Sequence, residues 1–228
     1  EIYHKTYHNK PVSIAAVTPD SLDDRKGFND TGEGRSQGIE LFLQKKFAEK
    51  WYGTFSYSLS KSEGKDTREG RNEYYPWDFD YGNVMTIIGG YKFKFRESTW
   101  YSKFRETFFF PYISWLPFMV SDQLEVSFRY SYSGGKPYTP KHYDFRHRRW
   151  YVDPTDDLNT ARHDYYSRLD IMVLRRFNFN KINITTFLDI HNIFNRNNIW
   201  EIMYLEDGTI DMAYNYKQMP VGGIIIEF

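Results

Sequence analysis

Apolar and polar side chains alternate along most of this chain. In residues 53–60, Phe55, Tyr57 and Leu59 share one side of an extended strand, and a threonine and serines occupy the other. Residues 124–133 repeat the pattern with leucine, valine, phenylalanine and tyrosine on one side. Because successive side chains of a strand point to opposite faces, each segment has one apolar and one polar face. The period of two therefore predicts antiparallel β strands and an all-β fold.

The alternating segments predict eight strands, most of them about ten residues long. They are a partial strand near 2–8, then 38–47, 51–61, 81–93, 123–133, 166–177, 182–194 and 221–228. A tilted strand needs roughly 9–11 residues to cross a bilayer, whereas strands of soluble sheets average about 5–6 residues. The strand length favours an antiparallel transmembrane β-barrel.

The composition is aromatic and polar at the same time. Aromatic residues make up 20% of the 228 residues, yet the mean hydropathy is −0.69. This balance fits a barrel wall with aromatic girdles, and it fits a tyrosine-rich soluble β-sandwich about equally well. Lysine plus arginine and aspartate plus glutamate are 30 each, so the basic excess of a nucleic-acid-binding protein is absent. The absence of cysteine excludes disulfides, thiolate metal sites and cysteine nucleophiles within these residues.

Short and long connections alternate between the predicted strands. Residues 48–50 and 178–181 are tight turns, whereas 9–36, 62–80, 134–164 and 195–220 are long and polar. Outer-membrane barrels have short periplasmic turns and long outer loops. With the short turns inside, the strand directions are self-consistent, and the last strand runs inward to the periplasmic rim.

One connection departs from this alternation. Residues 94–122 occupy the place of a short periplasmic turn but span nearly thirty residues. Ser98 is predicted to cap a short helix in which Trp100, Phe104 and Phe108 recur at helical spacing. Such an amphipathic helix would lie in the inner-leaflet interface. The alternative is a helix packed on soluble protein.

Several segments, in order, resemble TonB-dependent outer-membrane receptors. Residues 187–196 (FLDIHNIFNR) resemble the family's penultimate-strand pattern, and 219–228 (MPVGGIIIEF) resemble its last strand. Further matches are 34–40 (GRSQGIE), 55–61 (FSYSLSK), 133–140 (SGGKPYTP) and 166–170 (YSRLD). Together these matches cover nearly the whole chain in order.

The resemblance implies that residues 1–228 are the C-terminal part of a larger barrel. Family members have a barrel of about 22 strands filled by a plug. The plug and the TonB box are not among these residues. The implied function is uptake of a scarce nutrient across the outer membrane, energised through the TonB complex acting on that plug. The ligand stays open among siderophore, cobalamin, glycan and peptide. Outer-membrane lipid and lipopolysaccharide would surround the wall.

Three groups of residues are candidates for function. Phe228 resembles the terminal aromatic signal that the outer-membrane barrel assembly machinery recognises. Candidate ligand-facing loop residues are Tyr75, Trp77, Arg146, Arg148, Arg149 and Trp150. Candidate lumen-facing residues are Glu40, Glu125, Arg129, Arg168, Asp170 and Asp189. For the loop residues, solvated loop tips and girdle packing are the competing interpretations, and for the charged residues it is mutual ion pairing.

No catalytic motif or cofactor signature is present in the sequence, so we expect no enzyme activity and no cofactor. The histidines lack zinc-ligand spacing and are predicted to be solvated loop residues: His4, His8, His142, His147, His163 and His191. Two alternative functions remain open. One is a passive porin or adhesin barrel, and the other is a soluble all-β binding domain.

Overall fold

The chain folds into one large antiparallel sheet with small hairpins and a helical segment attached. The computed structural model describes residues 1–13, 28–66, 72–114, 120–153, 155–179 and 181–228. Eight strands form the main path of the sheet, and each pairs with the strand that follows it along that path. The predicted all-β class and the eight predicted strands are confirmed.

The main strands are β1 (Ile2–Ser13), β2 (Phe28–Ala48), β3 (Trp51–Lys65), β5 (Asn83–Lys94), β6 (Gln123–Ser133), β11 (Tyr166–Asn178), β12 (Asn183–His191) and β15 (Met219–Glu227). Shorter strands are β4 (Tyr74–Pro76), β7 (Pro137–Tyr138), β8 (His142–Asp144), β9 (Arg149–Tyr151), β10 (Ala161–Arg162), β13 (Ile199–Tyr204) and β14 (Ile210–Tyr214). Two helices, α1 (Thr99–Arg105) and α2 (Phe110–Ile113), follow a 3-10 turn at Phe95–Glu97.

The register keeps the apolar faces of neighbouring strands together. Leu43 pairs with Phe55, Phe55 with Ile87, Ile87 with Tyr130, and Tyr130 with Leu169. A slip of one residue in any pair would move a whole apolar set to the other face. We call the face that carries this row the apolar face and the opposite one the polar face.

Burial in this sheet is inverted relative to a globular protein. Among the described residues, three hydrophobic side chains are buried, whereas buried polar residues include Ser36, Ser62, Ser127 and Thr185. On the apolar face, Leu43 is 57% exposed and Phe128 is 43% exposed. The apolar face is therefore open to its surroundings, and the serines and threonine of the polar face are the more enclosed.

The described sheet is open. Its path begins at β1 and ends at β15, and each of these strands pairs on one side only. This is an antiparallel meander, the connectivity expected from the short and long connections.

The four predicted long loops contain more strand than expected, so those predictions were wrong in extent. β1 extends to Ser13 and β2 begins at Phe28, so the described parts of the connection predicted at 9–36, residues 9–13 and 28–36, are strand, and residues 14–27 lie outside the described residues. β3 reaches Lys65 and pairs with β4. The predicted loops at 134–164 and 195–220 contain the hairpins β8–β9 and β13–β14. The strand ladders continue beyond the alternating core because hairpin pairing satisfies their backbone groups.

The 94–122 connection is partly helical, as predicted, but its helix differs from the prediction. α1 begins after Ser98, whose side chain makes no capping hydrogen bond, and it ends at Arg105, before Phe108. The residue it buries is Tyr101, whereas Trp100 is 54% exposed. Tyr101, Phe110 and Phe177 form a small aromatic core. Across the described residues, no helix has the length and apolarity needed to span a membrane.

Candidate functional site

The apolar face of β3 forms a band with a defined upper and lower limit. Trp51 lies at the turn end and Leu59 is the last apolar residue towards the loops. Beyond it, Glu63 pairs with Lys61 at 2.6 Å and with Arg35 at 2.7 Å. From Trp51 to Leu59 the strand rises about 27 Å at about 3.4 Å per residue. At a tilt of about 40° this is about 20 Å, close to the roughly 25 Å apolar band of outer-membrane barrels.

Three of the candidate lumen-facing residues meet in one charged cluster on the polar face. Arg168 Nε donates to Asp170 Oδ1 at 2.6 Å, and Arg168 Nη2 lies 2.5 Å from His191 Nδ1. The His191 Nε2 atom is 3.5 Å from Asp189 Oδ2. Asp170 is buried and also accepts from the Asn192 backbone at 2.9 Å. Mutual ion pairing, the competing interpretation, accounts for these side chains.

The other three lumen candidates do not join that cluster. Glu125 accepts from Tyr52 at 3.0 Å and lies 3.4 Å from Lys92, towards the turn end of the same face. Glu40 and Arg129 are exposed. The polar face thus presents a charged cluster near the loops, a second one near the turns, and exposed charges between them.

The strand ends near the loops are held together by two buried side chains. Asp80 accepts from the Ser62 backbone at 2.8 Å and pairs with Arg162 at 2.5 Å. Asn159 donates to the Pro76 carbonyl and to Asp78, both at 2.7 Å. These bonds connect the 62–80 region to the 134–164 region. They build a rigid loop platform from segments that are far apart in sequence.

Tyr75 borders a cavity of about 530 Å³ within this platform. Its lining is rich in carboxylates and tyrosines and contains one guanidinium, with Asp66, Glu73, Tyr74, Asp157 and Arg162 among its residues. Of the predicted loop residues, Tyr75 is thus placed beside a cavity with many hydrogen-bonding groups.

Trp77 has a structural position. Its indole lies over Gly34 and Gly64, which pair across β2 and β3, so that a Cβ at either glycine would overlap the ring. It also contacts Tyr7 and Phe79, with ring centroids 5.4 and 5.3 Å away. The packing interpretation fits Trp77 better than ligand contact does.

Trp150 and Tyr143 join two outer hairpins. Trp150 Nε1 donates to the Leu205 carbonyl at 2.7 Å, and its ring lies 4.8 Å from that of Tyr204. Tyr143 donates to the Glu206 carbonyl. The hairpins β8–β9 and β13–β14 are therefore docked together, and Trp150 serves this contact.

The arginines of the 144–149 turn are exposed. Arg146 and Arg149 are solvent-facing, and Arg148 adopts a φ of +49° beside a cavity that also contains Tyr143 and Glu206. The turn is shaped by Asp144, whose carboxylate accepts from His147 Nδ1 at 2.6 Å and from the Arg146 backbone at 2.9 Å. Hydrogen bonds from His147 lower the pKa of Asp144.

A third cavity, of about 540 Å³, lies where the outer ends of β6 and β11 approach β13. It combines both charge signs with aromatic rings: Lys136, His163, Asp164, Tyr166, Trp200 and Glu201. Sequence reasoning did not single out this group, because the loop segments that build it give no periodic signal.

Two buried asparagines were also missed. Asn192, with a φ of +51°, donates to the Arg196 carbonyl at 2.9 Å and accepts from the Arg196 backbone at 3.1 Å. Asn198 exchanges two bonds with the Ser167 backbone, both at 3.0 Å. A side-chain amide here imitates a paired strand, which satisfies backbone groups at the end of β11. Asparagine's tolerance of positive φ was the available signal for Asn192.

The remaining sequence predictions concern Phe228 and the histidines. Phe228 follows β15 and is 97% exposed. His4 and His8 lie in β1, and His191 lies in β12, so the prediction that these histidines lie in loops was wrong. Within the described ranges, no three histidine, aspartate or glutamate side chains are grouped so that they could hold a metal ion.

Comparisons of the chain with protein-family models and with curated proteins gave no match.

Proposed function

We propose that this chain forms part of the wall of an outer-membrane active-transport receptor, with the apolar face towards lipid and the polar face towards a lumen. The observation that carries the proposal is the apolar band of about 20 Å, which is exposed at Trp51 and Leu59 and half-buried between them. It is limited by Trp51 at one end and by the Arg35, Lys61 and Glu63 ion pairs at the other. In water such a surface favours association, whereas in a bilayer it is matched by acyl chains.

The buried serines support the same orientation. Ser36 and Ser62 share a hydrogen bond of 2.8 Å on the polar face, and Ser127 and Thr185 are enclosed on it. A lumen or a plug surface offers partners to such hydroxyl groups, and hydrocarbon does not. Because the sheet ends at β1 and β15, a barrel needs further strands to close it.

A paired substitution tests the orientation. Ile87→Arg places a charge on the apolar face, and Thr86→Arg places the same charge one residue away, on the polar face between Ser56 and Ser131. An arginine near the bilayer midplane costs about 2–4 kcal/mol. We expect Ile87→Arg to reduce the heat-modifiable, folded fraction in the outer membrane and Thr86→Arg to leave it near wild type. Recovery of the full protein from the soluble fraction, or equal effects of both substitutions, contradicts the proposal.

The transport part rests on the ordered resemblance and on the loop-end cavities. We propose that the outer loops capture a scarce nutrient, and that energy delivered through TonB to a plug outside these residues releases it inward. Dissipating the inner-membrane proton gradient should then abolish uptake while surface binding persists. Uptake that continues without the gradient would favour a passive porin.

A further inference from the structure

Four exposed aromatic side chains form a patch at the turn end of the sheet. Trp100 is 54% exposed, Phe108 75%, Phe109 66% and Tyr112 63%. The Phe108 ring lies 5.8 Å from that of Phe109 and 5.5 Å from that of Tyr112, so Phe108 contacts both. We call these four residues the aromatic patch.

The segment that carries the patch is attached to the apolar face of the sheet. Phe95 stacks on Phe93, with centroids 5.9 Å apart and planes within 8°. Phe93 and Ile87 lie on the same face of β5, because an even number of positions separates them along the strand. Trp100 meets Phe95 edge to face at 6.1 Å. Trp100 therefore connects the patch to the apolar band, and it also contacts Tyr101, which packs on Phe110 next to Phe109.

The inner side of the same segment packs on two further strands. Tyr101 and Phe110 are buried against Phe177, and Ile184 packs against this core. Phe177 and Ile184 pair across β11 and β12 and belong to the apolar face. The helices thus cover the turn end of that face with one set of rings and present a second set outward.

An ion pair holds this arrangement. Arg105 Nη1 donates to Asp122 Oδ1 at 3.0 Å, and Asp122 Oδ2 accepts from the Asn178 backbone at 2.6 Å. Asp122 is 1% exposed. We call the contacts of Asp122 with Arg105 and Asn178 the clamp. The clamp connects α1 to the end of β11 and fixes which rings face outward.

Cations outnumber carboxylates among the exposed charges beside the patch, where Glu49, Glu97 and Glu106 are exposed too. Exposed cationic side chains lie on α1, on the preceding 3-10 turn and in the two neighbouring tight turns: Lys50, Arg96, Lys103 and Lys181. Aromatic rings at the level of the headgroups, with cations beside them, suit the interface of a leaflet that contains anionic lipid.

We propose that residues 95–114 form an interfacial anchor that inserts the aromatic patch into the headgroup and acyl-chain boundary of an anionic phospholipid leaflet. This inference rests on the proposed membrane location of the sheet and adds a specific lipid contact to it. We infer a lipid leaflet as the binding partner because the aromatic patch adjoins the apolar band. We infer anionic lipid because exposed cations lie beside the patch.

Site-directed spin labels test the proposal in the full-length protein reconstituted in phosphatidylcholine vesicles containing phosphatidylglycerol. The 228 residues contain no cysteine, so single cysteines here can be labelled selectively once any cysteine elsewhere is replaced by serine. Labels at Trp100→Cys and Phe108→Cys report the patch, and Lys103→Cys is the matched aqueous position on α1. Leu41→Cys reports the apolar band itself.

We expect the spin labels at 100, 108 and 41 to collide more often with oxygen than with a water-soluble nickel complex, as lipid-facing labels do. The label at 103 should collide more often with the nickel complex. Aqueous labels at 100 and 108 with a lipid-facing label at 41 would overturn the anchor and leave the membrane wall standing. An aqueous label at 41 would overturn the proposed function as well.

The lipid class has its own test. Omitting phosphatidylglycerol should shift the labels at 100 and 108 towards the aqueous phase, and the double variant Arg96→Glu, Lys103→Glu should remove this dependence on anionic lipid. Label depth that is independent of phosphatidylglycerol contradicts the preference for anionic lipid.

Discussion

Position 64 has room for glycine but not for a larger residue. Adding a single methyl group to this residue tests that requirement. Gly64→Ala would push against the Trp77 indole, whereas in the same strand a Cβ at Gly53 meets no atom closer than 3.6 Å. Overpacking of this kind costs about 1–3 kcal/mol. We expect Gly64→Ala to lower the urea midpoint of the detergent-solubilised protein and to shift tryptophan emission, and Gly53→Ala to do neither. Equal midpoints for the two variants would disprove the role assigned to Trp77.

Asp122 is the second position where one side chain has a large effect. Asp122→Ala removes the carboxylate partner of Arg105, which keeps only its bond to the Asn178 carbonyl, and leaves the Asn178 backbone N–H without its acceptor. Removing one partner of a buried pair costs about 3–5 kcal/mol. We expect faster amide hydrogen exchange throughout α1. The exposed Glu106→Ala is the control, and unchanged exchange in Asp122→Ala would show that the clamp is dispensable.

Predictions for single residues were correct where the alternation of side chains along a strand was sufficient to assign a residue to one face of the sheet. Arg168, Asp170 and Asp189 were assigned to one face, and the structure brings them together. Asn159 was not foreseen, because its contact with Pro76 spans a sequence separation of 83 residues and no local pattern encodes it. The prediction for Trp77 relied on the aromatic residues next to it in the sequence. Its position in the structure depends instead on Gly34 of β2 and Gly64 of β3.

At the scale of elements, the small ladder between β7 and β10 should respond to pH. His163 lies beside it, with its ring 4.7 Å from that of Tyr138. Desolvation lowers the pKa of His163 below its ordinary 6.5, Lys136 lowers it further, and Asp164 opposes both. The unfolded segment therefore binds the proton more readily than the folded one, and stability falls with decreasing pH.

This contribution is fully present above pH 6.5 and is lost as the pH falls from 6.5 through the lower pKa of the folded state. We expect amide exchange at Ala161 and Tyr138, corrected for intrinsic rates, to accelerate over that range. His163→Asn should remove the acceleration. An acceleration that persists in His163→Asn would assign the effect to another group.

The strands themselves were predictable because alternation survives any tertiary arrangement that keeps one face apolar. Their ends were not. Residues 32–36 contain two glycines and belong to the predicted loop 9–36, yet they pair within β2, as does Gly38 in the predicted strand. Aromatic rings explain this: Trp77 covers Gly34, and Tyr3 lies against Gly38. These rings supply the packing that glycine lacks, and their location is not visible in the local sequence.

At the scale of the whole molecule, each of the two terminal strands of the sheet has one edge with no partner strand among the described residues. On β15, Ile224 is 70% exposed and Ile226 51% exposed, beside backbone groups that have no neighbour on one side. An exposed apolar edge is a template for further strands. We expect residues 1–228, expressed alone without detergent, to sediment as aggregates. A soluble, sharply melting monomer would refute this expectation.

The inverted burial of the sheet determines which of its positions can accept substitutions during evolution. Away from the turn end, where the helical segment packs on Phe177 and Ile184, the large side chains of the apolar face meet no second layer among the described residues, so isoleucine, leucine, valine and phenylalanine are nearly interchangeable there. Ser36 and Ser62 are constrained by size and by the bond between them. Over many generations the bulky positions should vary and the small hydroxyl positions should persist, which is the opposite of the substitution record left by a water-soluble domain.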